Sequence, residues 1–294
     1  MLRYNADLRT VFYMIVTTVL LAVQWTLGEV QPVLYVWSLF MAISVSVIAH
    51  NHNHVPIWTS RAMNVFQDYW LTLFYGFPAF GWIPTHNRNH HNLNNKEGDY
   101  TITYRYSENN NLITLLTYPS ISSYFQQKPI GDYLKHLWEK DRPRFYLAAG
   151  QYVALILWCA VALYIDWRKA VLFILIPHQV ALFSVLIFNY IQHVHADEES
   201  AVNHSRNFIG TALNVMLFNN GFHTVHHDKS SMHWSETPEA HAKIAHNLDP
   251  VLIERSFWGY IGRVYILGLF NPKFRTTSMR IRRQGSGELG KVAA

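Results

Sequence analysis

Two apolar runs open the chain. Val11 to Leu27 carries no charged residue, Gly28 to Pro32 interrupts it, and Val33 to Ala49 follows. Each run is close to the ~17-residue lower limit of a membrane-spanning helix, and neither shows the polar face of a soluble core helix. The pattern predicts a helical hairpin with spans at about 11–27 and 33–49. A second pair repeats the design: Phe145 to Ile165, a break at Asp166 to Lys169, then Ala170 to Ile191. It predicts spans at about 145–165 and 170–191.

The stretches between and after the pairs are mixed. Gly76, Pro78, Gly81 and Pro84 punctuate residues 55–92, so this part reads as a helix at the membrane interface followed by a turn that delivers His86. A polar loop covers Asn92 to Asp99, and Tyr118 to Lys140 mixes aromatics with lysines as short surface-lying helices do. Leu252 to Phe270 is apolar but interrupted by Glu254, Arg255 and Arg263, which suits an interfacial or packed segment. The expected fold is all-α and integral to the membrane. Four transmembrane helices in two hairpins carry a helical cap, residues 50–144 and 192–270, within a single domain 1–270. The basic tail 271–294 is expected to be disordered.

Composition strengthens the membrane reading. Of 294 residues, 50% are hydrophobic and only 15% charged, against about 25% charged in an ordinary soluble domain. The lone cysteine, Cys159, lies inside an apolar run, so disulfides and thiolate metal sites are excluded. The first run lacks a small-residue cleavage pattern, and no cleavable signal peptide is expected. The first short loop has no Lys or Arg, whereas the last has Arg168 and Lys169, partly offset by Asp166. All other basic residues fall on the opposite side with both termini, which is therefore expected to be the cytosol.

The candidate chemistry lies in histidine. His50, His52 and His54 form one stretch; His86, His90 and His91 a second; Asn189 and His193 a third; His223, His226 and His227 a fourth. Residues three and four apart share one helix face, so each stretch can aim imidazoles at a common point. Imidazole suits iron, copper, zinc and nickel. The two hairpins return His54 and His193 to the same expected side, where a cluster could reach an apolar substrate entering from lipid. Leaving out His52, the nine other histidines exceed the needs of one metal and suggest two, and two redox metals suit dioxygen chemistry. Asp99 and Asp228 follow their histidine stretches closely and are candidates to hold ligand rings, as is His195. His52 faces away from His50 and His54 on a helix. His178, about 22 Å along a helix from His193, is expected to be a packed polar residue, and His136, His204, His233, His241 and His246 to be surface or cap residues.

The motifs H-N-H-N-H at 50–54, H-N-R-N-H-H at 86–91 and H-T-V-H-H at 223–227, with Asn189 four residues before His193, resemble the membrane fatty acid desaturases, the three-histidine-box di-iron enzymes. The resemblance covers about residues 10–250. It implies two ferrous ions held by His50, His54, His86, His90, His91, His193, His223, His226 and His227, with Asn189 acting through a water, His52 departing from the pattern, and no catalytic residue beyond the ligands. It implies a dioxygen-dependent insertion of a double bond into a long acyl chain carried on lipid, coenzyme A or acyl carrier protein. No haem-like segment is seen, so electrons are expected from a separate carrier, a ferredoxin or a b-type cytochrome, drawn to the basic face. A bacterial plasma membrane is expected rather than endoplasmic reticulum. The same boxes serve hydroxylases and ketolases acting on alkanes, carotenoids or lipids, which are the nearest alternative. A metal transporter or sensor would place ligands inside the spans, where only His178 lies. A nucleic-acid role has no support beyond the basic tail.

Overall fold

The structure is a computed structural model that describes residues 1–292, with side chains through residue 285. Its helices in chain order are α1 (Leu8–Thr26), α2 (Pro32–His54), α3 (Arg61–Tyr75), the short α4 (His91–Leu93), α5 (Leu112–Lys140), α6 (Arg142–Ala170) and α7 (Ile176–His193). There follow α8 (Thr211–Met216), α9 (His223–Asp228), α10 (Thr237–Ile244), α11 (Phe257–Ile261), α12 (Gly268–Phe270) and α13 (Met279–Val292). Wider π-helical turns occupy Ile83–His90, Val171–Leu175 and Gly262–Leu267. Two-residue strands β1 (Asn207–Phe208) and β2 (Ile253–Glu254) pair in parallel.

The chain divides into two compact units. One comprises Met1–Arg88 and Gln127–Val185; the other comprises Asn89–Gln126 and the residues from Leu186 onward. In the first unit, α1 packs on α2, α2 on α3, and α3 on α6. Apolar side chains such as Phe12, Ile15, Val19 and Trp37 remain exposed, as expected for surfaces that lipid covers. Among the described residues, three helical segments are long and apolar enough to cross a membrane: Asn5–Thr26, Pro32–His54 and Arg142–His193.

The last segment has 52 residues and contains both spans expected from the second apolar pair. A straight helix of that length would extend about 78 Å, more than twice the thickness of a bilayer core. Asp166 breaks it with an extended backbone (φ −156°, ψ 98°). Its Oδ1 accepts from the Arg168 and Lys169 amides, at 3.0 and 3.1 Å, capping the resumed helix. Ala162 and Ile174 then pack in one cluster with Leu21 and Trp25. Lys169 Nζ donates to the Trp25 carbonyl at 2.5 Å, which uses up one of the two cations that weakened the charge asymmetry.

α2 carries the first histidine stretch in its final turns, because nothing from Ala49 to His54 breaks a helix. Two local expectations need correction. Residues 112–140 form one long helix rather than several short ones, despite Pro119 and Pro129. The tail is not disordered over its described part. Ser278 Oγ accepts from the Ile281 amide at 3.2 Å in the first turn of α13, and Arg280 and Arg283 pair with Glu108, Asp197 and Glu198.

α3 is capped at its start by Ser60 and ends at Gly76, whose φ of 82° needs glycine. A Cβ there would also lie 2.4 Å from the His178 ring. His178 itself donates from Nε2 to the Leu73 carbonyl at 2.7 Å, which confirms it as a packed polar residue. Replacing Gly76 with alanine should cost about 2 kcal/mol or more of stability. Gly131, with open space around its Cβ position inside α5, should tolerate alanine with a gain of up to about 1 kcal/mol. Thermal unfolding in detergent compares the two.

Candidate metal centre

In the first unit, one turn of α2 separates His50 from His54, and their ring centroids lie 4.9 Å apart. The π-helical segment Ile83–His90 brings His86 to 4.8 Å from His50 and 5.0 Å from His54. Trp82 packs edge-on against His50 and His86, at 5.5 and 5.1 Å. Asn87 Nδ2 donates to the Asn53 carbonyl at 2.8 Å, tying the two backbones together. His52 points elsewhere: its Nδ1 accepts from the Ile57 amide at 3.2 Å, and its Nε2 lies 3.4 Å from Asp68.

The second unit holds a tighter group. Nε2 of His193 lies 3.2 Å from Nε2 of His90, 3.2 Å from that of His227 and 2.9 Å from that of His223. The available donor atoms of all four lie within 4.8 Å of one another. His91 stacks on His227 with centroids 4.3 Å apart and meets His226 edge-on at 4.7 Å.

The protons on this quartet follow from what surrounds it. His90 Nδ1 faces the carboxylate of Asp99 at 2.7 Å. A carboxylate only accepts, so Nδ1 carries the hydrogen and Nε2 a lone pair. His193 Nδ1 faces the carbonyl of His204 at 3.3 Å, which assigns the same tautomer. Two Nε2 lone pairs therefore confront each other at 3.2 Å and cannot bond together as neutral rings. A cation between them resolves the conflict. With metal–nitrogen bonds of roughly 2.1 Å, neighbouring ligand atoms stand about 3.0–3.4 Å apart, so the spacing fits a metal. A donor set of neutral imidazoles suits iron and the later divalent metals and not magnesium or calcium.

The surroundings favour that protonation pattern. Burial works against ionisation of Asp99. Attraction to the His90 ring and hydrogen bonds from His90 and Thr101 outweigh it and hold the carboxyl well below its usual range. Asp99 also accepts from the amides of Asn95 and Thr101, at 2.8 and 2.7 Å. Loss of water lowers the pKa of His227 well below 6.5, and repulsion from His91, His223, His193 and His90 adds to it. The ring stays neutral, as a ligand must be.

Of the other candidates, Asp228 sits 3.2 Å from Nε2 of His204, whose ring lies 5.7 Å from that of His227. Asn189 donates from Nδ2 to the Tyr118 hydroxyl at 2.6 Å, and Tyr118 donates to the Thr101 carbonyl at 2.7 Å. His195 has both ring nitrogens engaged with Thr276 Oγ1 and the Glu108 carbonyl, each at 2.7 Å. His204, His233 and His241 are buried, not surface residues. Sequence reasoning missed Thr101, Tyr118 and His204 as supports of the site. Thr101 follows Asp99 closely enough to be suspected, whereas nothing in the spacing marks Tyr118 or His204.

Box three is positioned by amide side chains. Asn207 Oδ1 accepts from the Thr224 amide at 3.1 Å and its Nδ2 donates to Thr224 Oγ1 at 2.7 Å, fixing α9 against β1. Just ahead, a Cβ on Gly221 would come within 2.0 Å of the Phe208 carbonyl oxygen, so only glycine lets the chain enter α9 here.

A family model described as fatty acid desaturase matches residues 24–258, which include every histidine discussed above. Searches of curated proteins and of solved structures gave no match.

Asp99→Asn keeps the shape but removes the charge that assigns the His90 proton. Metal affinity measured by titration should fall about 10–100-fold. Acid should also weaken the metal-free protein. The folded pKa of His227 lies below 6.5, so the unfolded chain takes up a proton first as the pH falls. Its contribution is complete above 6.5 and is lost on acidification. The unfolding midpoint of chelator-treated protein should therefore be lower at about pH 5 than at about pH 7.

Proposed function

The chain belongs to the fatty acid desaturase family, and on that premise we propose that it inserts a double bond into a long acyl chain, using dioxygen, two ferrous ions and electrons from a separate carrier. The observation that carries this reading is the convergence of the Nε2 atoms of His90, His223 and His227 on that of His193, at 2.9–3.2 Å. In the proposal these four hold one iron, and His50, His54, His86, His91 and His226 supply the ligands of the other. Asn189 contributes through a water, and its donation to Tyr118 supports the role by fixing which way its amide faces. The family match spans parts of both compact units, which supports treating residues 1–270 as one catalytic domain.

When bound, the irons supply the redox chemistry that activates dioxygen and removes hydrogen from an unactivated methylene. The chain's own residues do the rest. Asp99 and the His204 carbonyl hold protons on Nδ1 of His90 and His193, so that Nε2 is kept as a ligand atom. Burial of His90, His193 and His223 excludes bulk water from their ring nitrogens. Choice of bond position is then a matter of holding one methylene of the acyl chain in place.

The proposed setting is a membrane with four spans in two hairpins and both termini on the cytosolic side. The absence of Lys and Arg from the first short loop and the engagement of Lys169 with Trp25 support that orientation. An acyl chain on a lipid, coenzyme A or acyl carrier protein would then approach from the bilayer. The net charge of +5 favours an acidic electron carrier, a ferredoxin or a b-type cytochrome.

Lipid profiling of a host expressing the wild-type chain should show acyl chains two hydrogens lighter than their parents. His90→Ala and His226→Ala should give no such product, with less iron in the purified protein. Undiminished product from either variant would refute the proposal, and a product one oxygen heavier would identify a hydroxylase instead.

A further inference from the structure

The C-terminal segment meets the chain immediately beyond His193. The loop 194–206 leaves α7 at this residue and returns to it. The Arg206 amide donates to the Gln192 carbonyl at 2.6 Å, and its Nη1 donates to the carbonyls of Ile191 and Val194 at 2.6 and 3.1 Å. These bonds satisfy carbonyls that the end of a helix leaves open. The same loop carries His204, whose carbonyl accepts from Nδ1 of His193. The ring of His193 can therefore be no better placed than this loop.

Residues 276–283 grip the loop from outside. Thr276 Oγ1 bonds His195 Nδ1, and the Met279 amide donates to the His195 carbonyl at 3.2 Å. His195 has a φ of 63°, a left-handed conformation that a histidine keeps only when its neighbours hold it there. Arg283 donates to Asp197 and Glu198, each at 2.8 Å. Arg280 forms ion pairs with Glu108 and Glu198 and lies over the Tyr104 ring at 3.9 Å. Glu198 is only 6% exposed. Salt screens such buried charges much less than surface ones, and they oppose opening of the loop unless their arginines follow.

We infer that residues 276–283 are a latch, in which Arg280 and Arg283 act as positioning residues for His193 and thereby set how firmly its site holds metal. The inference rests on the quartet being a metal site, but not on the reaction carried out there. The short tail that its composition marks as expendable becomes part of the support of a ligand some ninety residues earlier in the chain. The same contacts explain the basic character of this segment, since it meets three carboxylates in Glu108, Asp197 and Glu198.

The test is the rate at which the full-length protein, purified in detergent and loaded with ferrous iron, yields that iron to a chelator. Arg280→Gln/Arg283→Gln should shorten the half-time about tenfold with unchanged helix content by circular dichroism. Arg280→Lys/Arg283→Lys should restore most of the difference, which a general loss of packing would not allow. Thr276→Val removes one tie and leaves every charge; it should shorten the half-time by a smaller factor, and it carries the test if the double Gln variant does not fold. Limited proteolysis reports independently whether residues near 276 have become accessible. Iron release at the wild-type rate from a variant whose latch has opened by that measure would overturn the inference. A wild-type protein that retains no iron would overturn the metal centre along with it. Firm iron binding without acyl desaturation would leave the latch standing and remove only the proposed reaction.

Discussion

Neutral imidazoles that turn unprotonated nitrogens toward one point repel one another until a cation joins them. His90 and His193 are held in that arrangement, and Nε2 of His223 and His227 lie 2.9 and 3.2 Å from that of His193, with His90, His193 and His223 buried. Much of the second unit can be understood as the scaffold that tolerates it. Asp99 and the His204 carbonyl place the hydrogens, Asn207 places α9, and Arg206 closes the loop after α7.

These supports form a continuous buried network rather than separate contacts. Asp99 bonds His90 and Thr101, the Thr101 carbonyl accepts from Tyr118, and Tyr118 accepts from Asn189, one turn ahead of His193. Along this line from Asp99 to Asn189 each polar group answers the next, which strengthens the bonds in the low dielectric around them. Such a network limits how far any ring can rotate, and ring orientation decides whether its lone pair reaches a common centre.

The first unit solves a different problem with the same economy of means. Its helices expose apolar side chains outward and bury a few polar ones inward. Gln151 Oε1 accepts from Thr72 Oγ1 and the Phe80 amide, at 3.3 and 3.1 Å, and so satisfies backbone near the turn that precedes His86. The break at Asp166 supplies its own cap, which lets a long apolar stretch kink without leaving the Arg168 and Lys169 amides unpaired.

Local rules made a large part of this legible from the chain alone. Apolar run length located α1, α2, α6 and α7, and three- and four-residue spacing identified the histidines that share a face, because both depend on the geometry of a single helix. The same geometry placed His52 away from His50 and His54. Proximity in sequence singled out Asp99, which bonds His90, and Asp228, which bonds His204. His90 and His193 meet across 103 positions, and Tyr118 and Asn189 across 71. No periodicity carries such pairings, since they arise only when separate segments pack and each buried donor must find an acceptor. The tail shows the same limit: its composition describes a chain that cannot form a core by itself, whereas its order comes from carboxylates supplied by distant residues. Sequence by itself determined which residues could ligate a metal, and tertiary structure decided which nitrogen of His90 and of His193 is free to do so, because a proton's place on imidazole is set by the neighbour it faces.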